Sequence, residues 1–149
     1  MLAKTHAVFG FLTGLFAIQL LHPSNQILFI APVTAAALLP DIDHPDSKAG
    51  KYVKPIGFLF EHMGFFHSLF ALILFPLLAY LFWQPIYAWA VLIGYGSHLI
   101  IDSITHIGIM PLHPLSRFRI RGFIKSGAAA EFAIFIGLVI ISFWKLINL

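Results

Sequence analysis

The sequence has no cysteine. That absence removes two chemistries at once: no disulfide staples a small secreted domain, and no thiolate holds zinc or an iron–sulfur cluster. Charge is nearly as scarce. Asp, Glu, Lys and Arg make up 10% of the 149 residues, against about 25% in an ordinary soluble domain. Hydrophobic residues make up 60%, and the mean hydropathy is +0.92. A water-soluble globule this small has too little interior to hide that much apolar surface, and an intrinsically disordered chain would be polar. The class left is an all-α integral membrane protein, read as one domain over residues 1–149. Neither an internal repeat nor a low-complexity tract is visible.

The scarce charges divide the chain. None falls between Thr5 and Pro40, a run of 36 residues, nor between His62 and Ile101, a run of 40, nor between Phe132 and Trp144, a run of 13. A spanning helix needs about 20 mostly apolar residues, so each of the first two runs holds two spans and a tight turn. His22-Pro23-Ser24-Asn25 and Gln84-Pro85 supply the turns, because proline breaks helices and Asn and Ser favour turns. The pattern predicts a bundle of five transmembrane helices near 5–21, 26–40, 66–83, 86–109 and 128–147. The first two are short enough to thin the bilayer, and Pro32 and Pro76 are expected to kink theirs. The first helix is expected to be retained, since Leu20-Leu21-His22-Pro23 is a poor signal-peptide cleavage site.

Five spans put the N-terminus and the loops 41–65 and 110–127 on one face. That face carries Lys4, Lys48, Lys51, Lys54, Arg117, Arg119, Arg121 and Lys125, and the other carries Lys145 alone. The positive-inside rule makes the richer face cytoplasmic and the C-terminus external, in an inner (plasma) membrane. Trp83, Trp89 and Trp144, with Tyr80 and Tyr87, form an aromatic belt at the outer interface.

On this scheme the ionisable residues converge. Odd-numbered helices start, and even-numbered helices end, on the cytoplasmic side. His6, Asp41, Asp43, His44, Glu61, His62, His67, His98, Asp102, His106 and Glu131 all fall there. His98, Asp102 and His106 repeat at i, i+4 and share one face of the fourth helix, with Thr105 beside Asp102. Ionisable groups within a span are costly and point to function. Imidazole with carboxylate suits zinc, manganese or iron better than calcium or magnesium. The expected site therefore holds a divalent metal, zinc, manganese or iron, among His6, Asp41, Asp43, His62, His67, His98, Asp102 and Glu131. A purely structural hydrogen-bonded cluster is the competing explanation.

Other polar residues read more plainly. Gly10 and Gly14 make a helix-packing surface. His22 is a turn residue on the far face, and His113 sits in a loop. The alternation Arg117-Phe118-Arg119-Ile120-Arg121 suits an interfacial segment snorkelling to anionic headgroups. Without a recognisable nucleic-acid-binding fold, that patch predicts no nucleic-acid partner.

These residues resemble the YdjM-like family of membrane-bound metal-dependent hydrolases. The likeness rests on Leu38-Leu39-Pro40-Asp41-Ile42-Asp43-His44-Pro45 with Ser47. It continues in His62-Met63-Gly64-Phe65-Phe66-His67-Ser68, in Gly94-Tyr95 with Ser97-His98 and Asp102, and in Thr105, Gly108, Pro114 and Arg117-Phe118-Arg119. His6 and Glu131 also match the family's His and Glu. Met63 stands where the family has Arg, and Phe66 where it has Thr. His106 falls where the family often has Pro, so no family role reaches it. The family is distantly similar to the zinc phospholipase C and S1/P1 nuclease group, which implies phosphoester hydrolysis at a metal. The resulting expectation is a membrane hydrolase acting at the cytoplasmic face on a phosphate ester of a lipid or lipid-linked substrate, with Asp43 or Glu61 as general base. A metal-ion or proton transporter is the rival from another class. It is disfavoured because transporter sites lie near the midplane between inverted repeats. A non-catalytic membrane regulator is the third reading.

Overall fold

The computed structural model describes residues 1–43 and 63–149. Five helices account for most of them: α1 (Ala3–Leu21), α2 (Gln26–Ala36), α3 (Leu69–Phe82), α4 (Pro85–Ser103) and α5 (Ala129–Ile147). The described residues contain no named strand, and the architecture is an all-helical membrane bundle. α1, the segment Gln26–Asp43 and α5 are each long and apolar enough to cross a membrane, while α3 is a shorter apolar helix. α1 lies against α2, α4 and α5, and α4 lies against α1, α2 and α3.

Both expected turns form, for the expected reasons. α1 closes at His22, whose φ of 45° is left-handed and whose N–H donates to the Ile18 carbonyl. Asn25 then caps α2 by accepting from the Leu28 N–H at 3.0 Å. Pro85 opens α4 at a position where its missing N–H costs nothing.

Three helix ends differ from the sequence expectation. α2 stops at Ala36 rather than continuing to 40, because Pro40 has no N–H to give the Ala36 carbonyl. The chain instead tightens into a 3₁₀ turn over Pro40–Asp43. α3 begins at Leu69, after a 3₁₀ turn over Phe65–His67, with the Ser68 hydroxyl accepting from the Ala71 N–H. α4 ends at Ser103, six residues short of 109. There the Thr105 N–H and hydroxyl both turn back to the Asp102 carbonyl, at 3.0 and 2.7 Å. Gly108 follows with φ +71° and donates to the Thr105 hydroxyl. His106 is consequently not on the α4 face; it is exposed in the loop beyond.

That loop is folded onto the bundle. Backbone bridges join Thr105 to Ile124 and Ile109 to Ile120, and the Pro111 carbonyl accepts from the Leu69 N–H at the start of α3. Leu115, Phe118 and Phe123 project from it beside the arginines. At the opposite end of the bundle Tyr80, Trp83, Trp89 and Trp144 are exposed, as an interfacial belt requires. Lys145, alone in lying there among the basic residues that are described, is buried against Gln19, with its ammonium 4.5 Å from the Phe16 ring centre.

Candidate metal centre

Four segments deliver the buried polar group: the first turn of α1, the 3₁₀ turn after α2, the 3₁₀ turn before α3, and the last two turns of α4. They bring His6, Asp41, His67, His98 and Asp102 together. His6, His67, His98 and Asp102 have fully buried side chains, and that of Asp41 keeps 16% exposure.

Each ring is aimed by what holds its far nitrogen. His98 Nδ1 lies 2.8 Å from the Ala37 carbonyl. A carbonyl only accepts, so Nδ1 carries the hydrogen and Nε2 presents a lone pair. The α2 terminus makes this carbonyl available, since the helix does not run on to use it. His67 Nδ1 lies 3.2 Å from Asp43 Oδ2, which fixes the same tautomer. The turn carrying His67 is braced by Tyr95, whose hydroxyl donates to the Phe66 carbonyl at 2.6 Å. His67 sits outside the spanning helices, where burial pushes its pKa below the ordinary imidazole value and favours the neutral, ligating form.

The two exposed lone pairs face one another. His67 Nε2 and His98 Nε2 are 3.2 Å apart. Asp102 Oδ2 is 3.3 Å from the latter and 3.7 Å from the former, and it is buried with no hydrogen-bond partner. Asp41 Oδ1 approaches His98 Nε2 to 3.8 Å. Acceptors crowded in this way repel unless a cation sits among them, and their N and O chemistry fits a borderline divalent metal. On the other side of Asp102, Oδ1 is 3.3 Å from His6 Nε2 and 2.6 Å from the Met1 amino nitrogen. The His6 ring stacks on that of His98 with centroids 3.7 Å apart.

Two expected residues stand elsewhere, Asp43 and Glu131. Asp43 contacts the far edge of the His67 ring and belongs to neither potential ligand set. Glu131 lies apart from the histidines. Its Oε1 accepts from the Leu2 N–H at 2.6 Å and the Thr5 hydroxyl at 2.7 Å, and its Oε2 from the Gly127 N–H at 2.6 Å. It thus ties the start of α1 to the start of α5. Glu61 and His62 lie outside the described residues. The Ala37 carbonyl carries no signature that a sequence could show. Tyr95 does carry one, as part of the Gly94-Tyr95 element.

A model of the YdjM inner membrane protein family matches residues 1–148. The chain belongs to that family. Among relatives, an "Uncharacterized protein YvsG" of Bacillus subtilis is 32% identical, with 95% of this chain and 92% of the relative covered. The "Inner membrane protein YdjM" of Escherichia coli is 33% identical over 80% of this chain and 69% of its own. No solved structure matches the chain. Family membership agrees with the hydropathy in making this YdjM-family chain a membrane protein.

Proposed function

We propose that the chain is a membrane-embedded, metal-dependent hydrolase that cleaves a phosphate ester of a lipid or lipid-linked substrate at the cytoplasmic face. The observation that carries this reading is the meeting of His67 Nε2, His98 Nε2 and Asp102 Oδ2, with both Nδ1 atoms already committed. These three and Asp41 would hold the ion, and His6 flanks it across Asp102. When bound, a divalent ion such as zinc lowers the pKa of a coordinated water towards about 7 and polarises a phosphoryl oxygen.

The chain's own groups prepare that chemistry. Ala37 and Asp43 hold the two imidazoles in ligating tautomers. Burial of four of the five side chains keeps bulk water out of the group. Asp41, with residual exposure, marks the side from which substrate enters. Of the two carboxylates expected as general base, Asp43 is engaged with His67 and Glu61 lies outside the described residues. The group lies where α1 begins and α4 ends, which in a spanning bundle would be headgroup depth. Arg117, Arg119, Arg121 and Lys125 belong to the segment that leaves α4 beside it. Such residues attract anionic lipids by about 1 kcal/mol each near the surface.

The test is reconstituted protein incubated with mixed phospholipids and lipid-linked phosphates. Released phosphate or headgroup should disappear with a chelator, return with zinc or manganese, and be absent in Asp102→Ala. Metal-loaded protein that releases nothing from any of these would favour a non-catalytic regulator.

A further inference from the structure

Asp43 is buried and lies outside both potential ligand sets, so the metal reading gives it no direct task. Its geometry does. A neutral imidazole has one N–H and one lone pair, and whichever nitrogen faces an obligate acceptor keeps the hydrogen. Asp43 Oδ2 sits 3.2 Å from His67 Nδ1 and also accepts from the Met63 N–H at 3.2 Å. The backbone bond holds the carboxylate in place, and the carboxylate holds the ring. His67 Nε2 is then turned, as a lone pair, towards His98 Nε2 and Asp102 Oδ2. A carboxylate on the far nitrogen also raises the ring's basicity as a ligand. His98 receives the same alignment from a neutral carbonyl, so the two rings differ in how strongly each is polarised.

We propose that Asp43 is a positioning residue that acts through His67, fixing its Nδ1–H tautomer and strengthening its Nε2 as a donor, and that it is neither a metal ligand nor the general base. This rests on the metal reading given above.

The experiment uses the full chain in detergent with ¹⁵N-labelled histidine. Two readouts are taken: the His67 tautomer in chelator-treated protein, and Co²⁺ binding with its visible absorption band. Wild type should show the Nδ1–H form and bind Co²⁺, whereas His98→Ala should lose binding. Asp43→Ala should lose the tautomer preference, shift the absorption band, and weaken binding about 10–100-fold at unchanged stoichiometry. Asp43→Asn, which keeps an acceptor oxygen, should recover the tautomer and part of the affinity. Asp43→Ala losing Co²⁺ as completely as His98→Ala would make Asp43 a ligand and overturn the inference while sparing the metal site. Both Asp43 variants matching wild type in tautomer and affinity would overturn it too. Wild type that binds no Co²⁺ would bring down the metal reading and the inference with it.

Discussion

His98 and Asp102 are one helical turn apart on α4 and reach the same point, Nε2 to Oδ2, across 3.3 Å. Neither can be replaced by a neighbour, because the other donors arrive from different segments. Asp102→Ala or His98→Ala should therefore remove most bound metal, while His22→Ala, at the far end of α1, should leave it unchanged. Elemental analysis of the three purified variants decides, and equal metal content in all would mean that the cluster is structural. Glu131 has a different task. Its removal strands the Leu2 and Gly127 N–H groups and the Thr5 hydroxyl, two of them within 2.6 Å of its oxygens. Of these donors the Thr5 hydroxyl is buried, and a buried donor left unpaired costs about 1–3 kcal/mol, whereas Leu2 and Gly127 are exposed. Glu131→Ala should lower stability by about 1–3 kcal/mol in detergent unfolding, and metal content should fall less than in Asp102→Ala. Metal loss equal to that of Asp102→Ala would assign Glu131 to the centre after all.

Between elements, the close approach of α4 to α2 is what brings the Ala37 carbonyl to His98. Gly94 makes that approach possible. A Cβ there would lie 2.1 Å from the Val33 carbonyl oxygen and 2.9 Å from the Ala36 Cβ, both on α2. Backbone cannot yield as a flexible side-chain tip would, so Gly94→Ala should cost about 1–3 kcal/mol or more and weaken metal binding without touching a ligand. Gly137 on α5 is the control, since a Cβ there meets nothing within 4 Å. Gly137→Ala should be neutral or stabilising by up to about 1 kcal/mol. Thermal unfolding of both variants checks the pair, and equal effects would deny the tight α2–α4 contact. The same scale separates what the sequence could reveal from what it could not. That His6, Asp41, His67, His98 and Asp102 meet follows from helix count and the alternation of helix direction, both readable from uncharged runs. Helix ends were harder. An apolar run continues through Ile104 and Ile107, so hydropathy carries α4 past Ser103. The Thr105 back-bonds and the left-handed Gly108 stop it, and they take His106 off the shared face. The difference in task between Asp41 and Asp43 was likewise hidden. Two carboxylates separated by one residue look alike in sequence, and only the 3₁₀ geometry sends one to His98 and the other to the back of His67.

For the molecule as a whole, an odd number of alternating helices places the two termini on opposite faces. The start of α1, the end of α4 and the start of α5 share one end through His6, Asp102 and Glu131. The exposed tryptophans mark the other. Eight of the nine basic residues belong to the first end or its loops. Moving such loops outward would oppose the charge bias that sets membrane orientation, so the metal centre should face the cytoplasm and Leu149 the outside. Reporter fusions near Lys51 and at Leu149 read this directly: a phosphatase reporter active outside should be silent at Lys51 and active at Leu149, and a cytoplasmic fluorescent reporter should give the reverse. Of the five expected spans, α4 is not among the described helices long and apolar enough to cross a membrane, and α3, at 14 residues, is short. If it failed to cross, the C-terminus would stay with the N-terminus, and a cytoplasmic signal at Leu149 would sink the five-span topology. The contacts oppose that outcome. The Ser68 cap at the start of α3 adjoins His67 of the candidate metal centre, while Trp83 at its end lies beside Gln84 and the opening proline of α4. A helix whose two ends adjoin the two ends of its neighbour α4 runs antiparallel beside it, so α3 and α4 should enter the membrane together.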